Sequence, residues 1–267
     1  MALVRFEGCD FSYTVRGSGP ALLLVQGVGV QGDAWTPQTA DLARDFTCVT
    51  FDNRGMARSQ PPGAPITVEQ MARDALAILD AAGLSQAHVV GHSLGGVVAL
   101  QLAITARPRV RSLALLCTFS GGKTAAPPSP RMLWLGARTR IGTRQMRRHS
   151  FLRLVMPPGP IADAQQLGDR IGTLFGHDLA DQPSIVSAQL RALRQSDTSA
   201  RLHQLAGLRV VIMSGRHDPI APPSAGRALA AAIPGAHYLE VSDASHGLPI
   251  SHAALTNAAL RDHLGSE

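Results

Sequence analysis

The pentapeptide Gly91-His92-Ser93-Leu94-Gly95 joins a short apolar run, Ala87-His88-Val89-Val90, to a longer one of helical length, Val97 to Thr105. Few backbones satisfy that arrangement. A strand that becomes a helix within two or three residues must turn sharply, and the residue at the apex is driven into a conformation that side chains resist. Glycines two positions before and two after the apex remove the Cβ atoms that would collide there. The segment therefore predicts a strand, a tight turn with Ser93 exposed at its tip, and a helix beginning just beyond. By itself it is also what a glycine-rich turn ahead of a core helix looks like, so the remainder of the chain decides its meaning.

That remainder has a matching rhythm. Leu3-Phe6 and Phe11-Val15, around Gly8, alternate as an N-terminal β-hairpin would. Ala21-Val25 is wholly apolar and Thr47-Phe51 nearly so, as buried parallel strands are, with a helix between them at about 34–44. Thr67-Val68-Glu69-Gln70 carries capping-type residues for a helix that runs to Ala82 and is stopped by Gly83. A strand over Val110-Cys117 follows. Strands alternating with helices of about a dozen residues predict an α/β fold with a mostly parallel, doubly wound sheet. The rhythm breaks at Ser120-Gly121-Gly122. From there to about Gly207 the chain begins proline-rich (Pro127, Pro128, Pro130) and shows helical patterns without a convincing strand. Arg209-Ser214 restores the strand register, and a helix over Ser224-Ala232, a strand over His237-Val241 and a helix over Ile250-Leu264 complete it. The predicted division is a core of residues 1–120 and 208–267 with a helical cap, residues 121–207, inserted.

A chain of 267 residues, 45% hydrophobic and 16% charged, has room for one large core. No apolar run approaches membrane-spanning length, so no stable membrane insertion is expected. The N-terminal residues lack the regions of a signal peptide, and a cytoplasmic location is the expectation. Cys9, Cys48 and Cys117 are odd in number and widely spaced, so no metal site is read from them; Cys48 and Cys117 sit in apolar runs and are expected to be buried. Of the 25 basic residues only Lys123 is a lysine, and from Lys123 to Arg153 there are eight basic residues and no acidic one. Such a run is most often a solvated helical face, and otherwise suits an acidic substrate, an anionic surface or an acidic partner. With no nucleic-acid motif and no interleaved aromatics, a nucleic-acid partner is not expected. Composition leaves a homodimer open.

A serine hydroxyl at the start of a helix becomes a nucleophile only when a base takes its proton and a third group fixes that base. Asp218, in Gly215-Arg216-His217-Asp218, follows the strand Arg209-Ser214; His246, in Ser245-His246-Gly247, follows the last strand. Parallel strands bring both loops and Ser93 to one edge of the sheet, and the order Ser, Asp, His is that of a nucleophile elbow. Asp243 is too local to brace the far side of the His246 ring. His92 is expected to point away from the reacting centre, and His217 suits a structural or binding role. Oxyanion donors are expected from the amide of Leu94 and, in the turn Gln26-Gly27-Val28-Gly29, from the amide of Val28. A phosphate-binding reading of that turn lacks the lysine and the glycine spacing.

With Asp52-Asn53-Arg54-Gly55, these segments resemble the α/β-hydrolase superfamily over nearly the whole chain. The resemblance is nearest to small bacterial carboxylesterases and 3-oxoadipate enol-lactonase-type hydrolases, with methylesterases of polyketide pathways close behind. It implies hydrolysis of a small-molecule ester or lactone through an acyl-enzyme on Ser93, with no metal or organic cofactor. Its alternatives are an enol-lactonase or C–C bond hydrolase using the same triad, a cofactor-free perhydrolase, and a non-catalytic ligand-binding protein. Epoxide hydrolases and haloalkane dehalogenases of the superfamily carry aspartate where this chain has Ser93. The family usually has histidine at Gln26 and a glycine near Ala57; a glutamine amide can still hold the loop. Asp52 and Arg54 are read as loop-bracing. Among the apolar cap residues, Trp134, Phe151 and Met156 are expected to bind substrate, and an enol-lactonase would use cap arginines for its substrate's carboxylate.

Overall fold

Apolar strands of five residues cannot leave either side to water, so the chain buries them in a sheet covered on both faces. The computed structural model describes residues 1–122, 129–161 and 163–265. Lys123, Pro127 and Pro128 lie outside the described residues. The strands are β1 (Ala2–Phe6), β2 (Cys9–Arg16), β3 (Ala21–Val25), β4 (Thr47–Phe51), β5 (Ala87–His92), β6 (Val110–Leu116), β7 (Arg209–Gly215) and β8 (His237–Val241). They form one eight-stranded sheet in the order β1-β2-β4-β3-β5-β6-β7-β8. β1–β2 and β2–β4 are antiparallel, and every later pairing is parallel. This is the predicted α/β-hydrolase arrangement. Within β3, Leu23 and Val25 enter the core on one face and Leu22 and Leu24 the core on the other.

Helices α1 (Thr36–Leu42), α2 (Val68–Ala81), α3 (Leu94–Thr105), α8 (Pro223–Ala232), α9 (Leu248–Ser251) and α10 (Ala253–Gly265) flank the sheet. The Thr67 hydroxyl accepts from the Gln70 amide at 3.0 Å, the cap foreseen for α2. α3 is buried from Leu94 to Ala103, which is why its sequence has no polar face. Two expectations shift. The helix foreseen at 34–44 opens as a 3₁₀ turn, Gly32–Trp35, before α1. The last helix is two, because His252 leaves helical geometry (φ −125°, ψ 43°) and its ring sits 3.3 Å from the Asp243 carboxylate.

Between β6 and β7 the described residues form α4 (Pro130–Arg138), α5 (Arg144–Val155), α6 (Ala164–Phe175), α7 (Val186–Gln195) and a 3₁₀ turn, Ser199–Leu205, with no strand among them. No helix among the described residues is long and apolar enough to cross a membrane. The path of the chain also fixes where a site belongs. From β3 it goes to β4 on one side and then to β5 on the other, so the loops leaving β3 and β5 diverge and open a crevice between them. Those two loops are Gln26–Val30 and the turn at Ser93.

Candidate active site

Ser93 occupies φ 55°, ψ −121°, a backbone state costing a residue with a side chain on the order of 1–3 kcal/mol. The surroundings hold it there. A Cβ on Gly91 would lie 2.3 Å from the Gly95 carbonyl oxygen, and one on Gly95 would lie 2.1 Å from that of Val25. Only glycine lets strand and helix approach so closely. The Ser93 carbonyl accepts from the Thr118 hydroxyl at 2.7 Å and the Gly96 amide at 2.9 Å, and its own amide donates to Leu116 at 3.0 Å. With the backbone pinned, the hydroxyl projects into the crevice.

Three loops from three strands then meet. The Ser93 hydroxyl lies 3.1 Å from His246 Nε2, and His246 Nδ1 lies 2.8 Å from Asp218 Oδ2. Beside a carboxylate, Nδ1 carries the proton, which leaves Nε2 free to accept from the serine. Asp218 Oδ1 accepts from the amides of Ile220 at 2.8 Å and Ala221 at 2.9 Å, so the carboxylate cannot rotate. All three residues are buried. Asp243 instead pairs with His252, and His217 donates no side-chain bond into this relay.

His92 departs from expectation. Its ring lies 5.0 Å from that of His246, and its Nε2–H donates to the His246 carbonyl at 2.9 Å. Enclosure by protein and the neighbouring His246 push its pKa down to about 3, so it is neutral around neutral pH. Strand alternation correctly turns it off the Ser93 side of β5; what alternation cannot foresee is the loop from β8 folding down beside it. Cys117, at φ 49°, is fully buried beneath the same loop, and burial raises its thiol well above the usual range.

The loop after β3 approaches Ser93 just as closely: a Cβ on Gly27 would meet the Ser93 Cβ at 3.2 Å. Its amides have an uneven fate. Gly27 N–H donates to Gln26 Oε1 at 3.1 Å, and Gly29 N–H donates to Gln189 Oε1, from α7, at 2.8 Å. Between them the Val28 amide has no acceptor among the described residues, and the Leu94 amide has none either. The Gly29 carbonyl accepts from His177 Nε2 at 2.8 Å. Gln26 thus does locally what was expected of it, and its backbone carbonyl also accepts from Asn53 at 3.0 Å. Asp52 and Arg54 brace neighbouring backbone: Asp52 accepts from Gly32 N–H at 2.8 Å, and buried Arg54 pairs with buried Asp74. Gln189 and His177 were not foreseen, since nothing in sequence connects them to a loop some 150 residues earlier.

Above the relay lies a cavity of about 440 Å³ whose wall includes Ser93, His246, Val28, Phe151 and Met156. Trp134 is not in it. The indole is 61% exposed and lies against Arg138 on the outer side of α4, so the expected substrate contact is corrected. The cause is helical phase. Met132, Gly136 and Thr139 form the stripe facing the cavity, and residue 134 is rotated about 200° from residue 132. Arg140 and Arg194 also reach the cavity wall, which holds no acidic side chain, and neither has an acidic partner among the described residues. Arg144 and Arg148, by contrast, are paired with Asp178, Asp181 and Asp169.

Known proteins share both the fold and its length. Residues 20–253 match the model of the alpha/beta hydrolase fold family. The RutD protein of Caulobacter vibrioides, named for carbamate hydrolysis, is 31% identical over 255 residues, covering 90% of this chain and 88% of its own. RutD of Azorhizobium caulinodans is 39% identical over a shorter stretch of 107 residues, 40% of each chain. The enol-lactonase of Burkholderia xenovorans LB400 superposes with a TM-score of 0.83 at 25% identity, covering 99% of this chain and all of that one. A strand order with one switch point, a serine on a sharp turn there, and matches that run almost end to end lead to one conclusion: the chain belongs to the alpha/beta hydrolase family.

Proposed function

We propose that the protein is a serine hydrolase that cleaves carboxylic esters through an acyl-enzyme on Ser93, with α4–α7 as the cap over its substrate. One observation carries the reading: a continuous relay from Ser93 Oγ through His246 to Asp218, at 3.1 and 2.8 Å, next to two amides, of Leu94 and Val28, with no acceptor among the described residues. Ser93 Oγ attacks the ester carbonyl while its proton passes to His246 Nε2, and Asp218 steadies the imidazolium that results. The carbonyl oxygen, now an alkoxide, takes hydrogen bonds from Leu94 and Val28 N–H; removing one such donor typically costs about 10²–10³ in rate. His246 then protonates the departing alkoxide, and the alcohol leaves with the acyl group on Ser93. A water gives its proton to His246 as it attacks. Ser93 recovers that proton when the acid departs.

A second reading has a specific feature behind it. Arg140 and Arg194, without an acidic partner among the described residues and in a cavity wall without acids, favour an ester or enol-lactone that itself bears a carboxylate. The same machinery serves a carbamate, for which the RutD proteins are named. A fluorophosphonate probe followed by peptide mapping tests the nucleophile, with modification expected on Ser93 and absent in Ser93→Ala. A panel of neutral esters, acid-bearing esters, enol-lactones and carbamates tests the chemistry. Turnover of the last two with none of any simple ester would replace the esterase reading.

A further inference from the structure

Trp134 and its neighbours form a surface that the reaction leaves unused. Of the nine large apolar side chains that are exposed among the described residues, four fall within a span of fourteen: Leu133, Trp134, Ile141 and Met146. They sit in the most one-sidedly charged part of the chain, for no acidic residue occurs between Asp80 and Asp163. Two helical stripes line a groove of about 490 Å³ there: Arg131, Trp134 and Arg138 at intervals of three and four on α4, and Met146, His149 and Arg153 likewise on α5. Arg131 and Arg138 have no acidic partner among the described residues, and the Arg138 guanidinium lies 5.7 Å from the Trp134 ring. The Trp134 ring attracts the Arg138 guanidinium but does not neutralise it, and neither arginine has an anion among the described residues, so cationic and apolar side chains alternate along one face.

We infer that this outer face of the cap docks peripherally on bilayers containing anionic phospholipid. Phosphates would take the guanidinium bonds, and Leu133, Trp134 and Ile141 would enter the headgroup region, where an indole is at home. Charge rules out a second copy in the simplest symmetric contact, which would set the same arginines against one another. A nucleic acid would use the arginines but leave Leu133 and Ile141 without partners, and the face offers one aromatic ring for stacking. Leu133 has a further consequence. It is 59% exposed and lines the active-site cavity, about 100° around α4 from Trp134, so a lipid-borne ester at a docked helix would lie one helix flank away from its point of entry.

The test uses the full chain carrying Ser93→Ala, so that lipid stays intact and the result is independent of the proposed hydrolysis. Co-sedimentation is measured with vesicles of phosphatidylcholine alone and with added phosphatidylglycerol, while tryptophan emission is recorded. Trp35 is fully buried, so a change on binding reports Trp134. Binding to the anionic vesicles only, with a blue shift that Trp134→Phe removes, is the expected result. Loss of two surface charges in Arg131→Gln/Arg138→Gln weakens it by about 30-fold. Circular dichroism matching the parent shows that this variant is folded. The proposal is overturned by no binding to anionic vesicles, by undiminished binding of the double variant, or by an emission change that survives Trp134→Phe. An equal response to inorganic phosphate or to a single-stranded oligonucleotide, in place of vesicles, also overturns it.

Discussion

Both oxygens of Asp218 are committed, one to His246 and the other to two backbone amides. An asparagine at 218 has one oxygen for both tasks. If it serves the amides, its NH₂ faces His246 Nδ1 and forces the proton onto Nε2, where the serine needs an acceptor. Asp218→Asn is therefore expected to fold normally and to lose roughly 10⁴-fold in kcat, measured on whichever ester the panel identifies. That Ser93, Asp218 and His246 meet was readable in the sequence because each follows an apolar strand and parallel strands deliver their ends to one edge. Trp134 was not readable as an outer residue, since a short run such as Met132-Leu133-Trp134-Leu135 is apolar all along and does not reveal which side of the helix faces in. His92 was half readable: its direction off β5 follows from alternation, and its partner does not.

Among the elements, α5 is tied to the loop after α6 through Asp178, which bonds Arg148, Arg144 and the Ala180 amide. Chiefly the Arg148 bond holds this carboxyl well below the usual carboxylate range. A group whose folded pKa is depressed stabilises above its unfolded value, near 4, and that contribution disappears as pH falls below it. Asp178→Asn should lower the thermal stability of the protein by roughly 1–2 kcal/mol at pH 7, and the parent and variant should converge on acidification. A second prediction concerns α7. Gln189 is fully buried and supplies the acceptor for Gly29 N–H, next to the open Val28 amide. Gln189→Leu should reduce kcat about tenfold, a fraction of what loss of a whole oxyanion donor costs, with KM little changed and slower fluorophosphonate labelling. The helices themselves were legible as helices; which side chain of α7 would reach the loop after β3 was not, because that contact is set by how α7 packs against that loop and not by local pattern.

For the molecule as a whole, buried neutral histidines set an acid limit. Burial pushes His88 down to about 4, and His263 likewise to about 4, with His92 lower still. Each is neutral in the folded state and binds a proton more readily when unfolded. Their contribution is complete above pH 6.5 or so and is lost as pH falls from there toward 4. For a shift of this size one such group is worth on the order of 3 kcal/mol at most. Chemical denaturation at pH 7, 6, 5 and 4 should show stability falling through that window, and His88→Gln should flatten the curve by keeping a polar partner near Ser112, 2.8 Å away. The parallel sheet was legible from short apolar strands alternating with helices, whereas its switch point and the double hold on Gly29 were visible in no segment. That hold has an evolutionary corollary. Gln189 and His177 grip the loop after β3 from the segment between β6 and β7, so that segment is not an interchangeable part. Grafting a relative's helices to broaden substrate range would unfasten Gly29, the neighbour of the proposed Val28 donor, unless the graft brought its own pair of clasps.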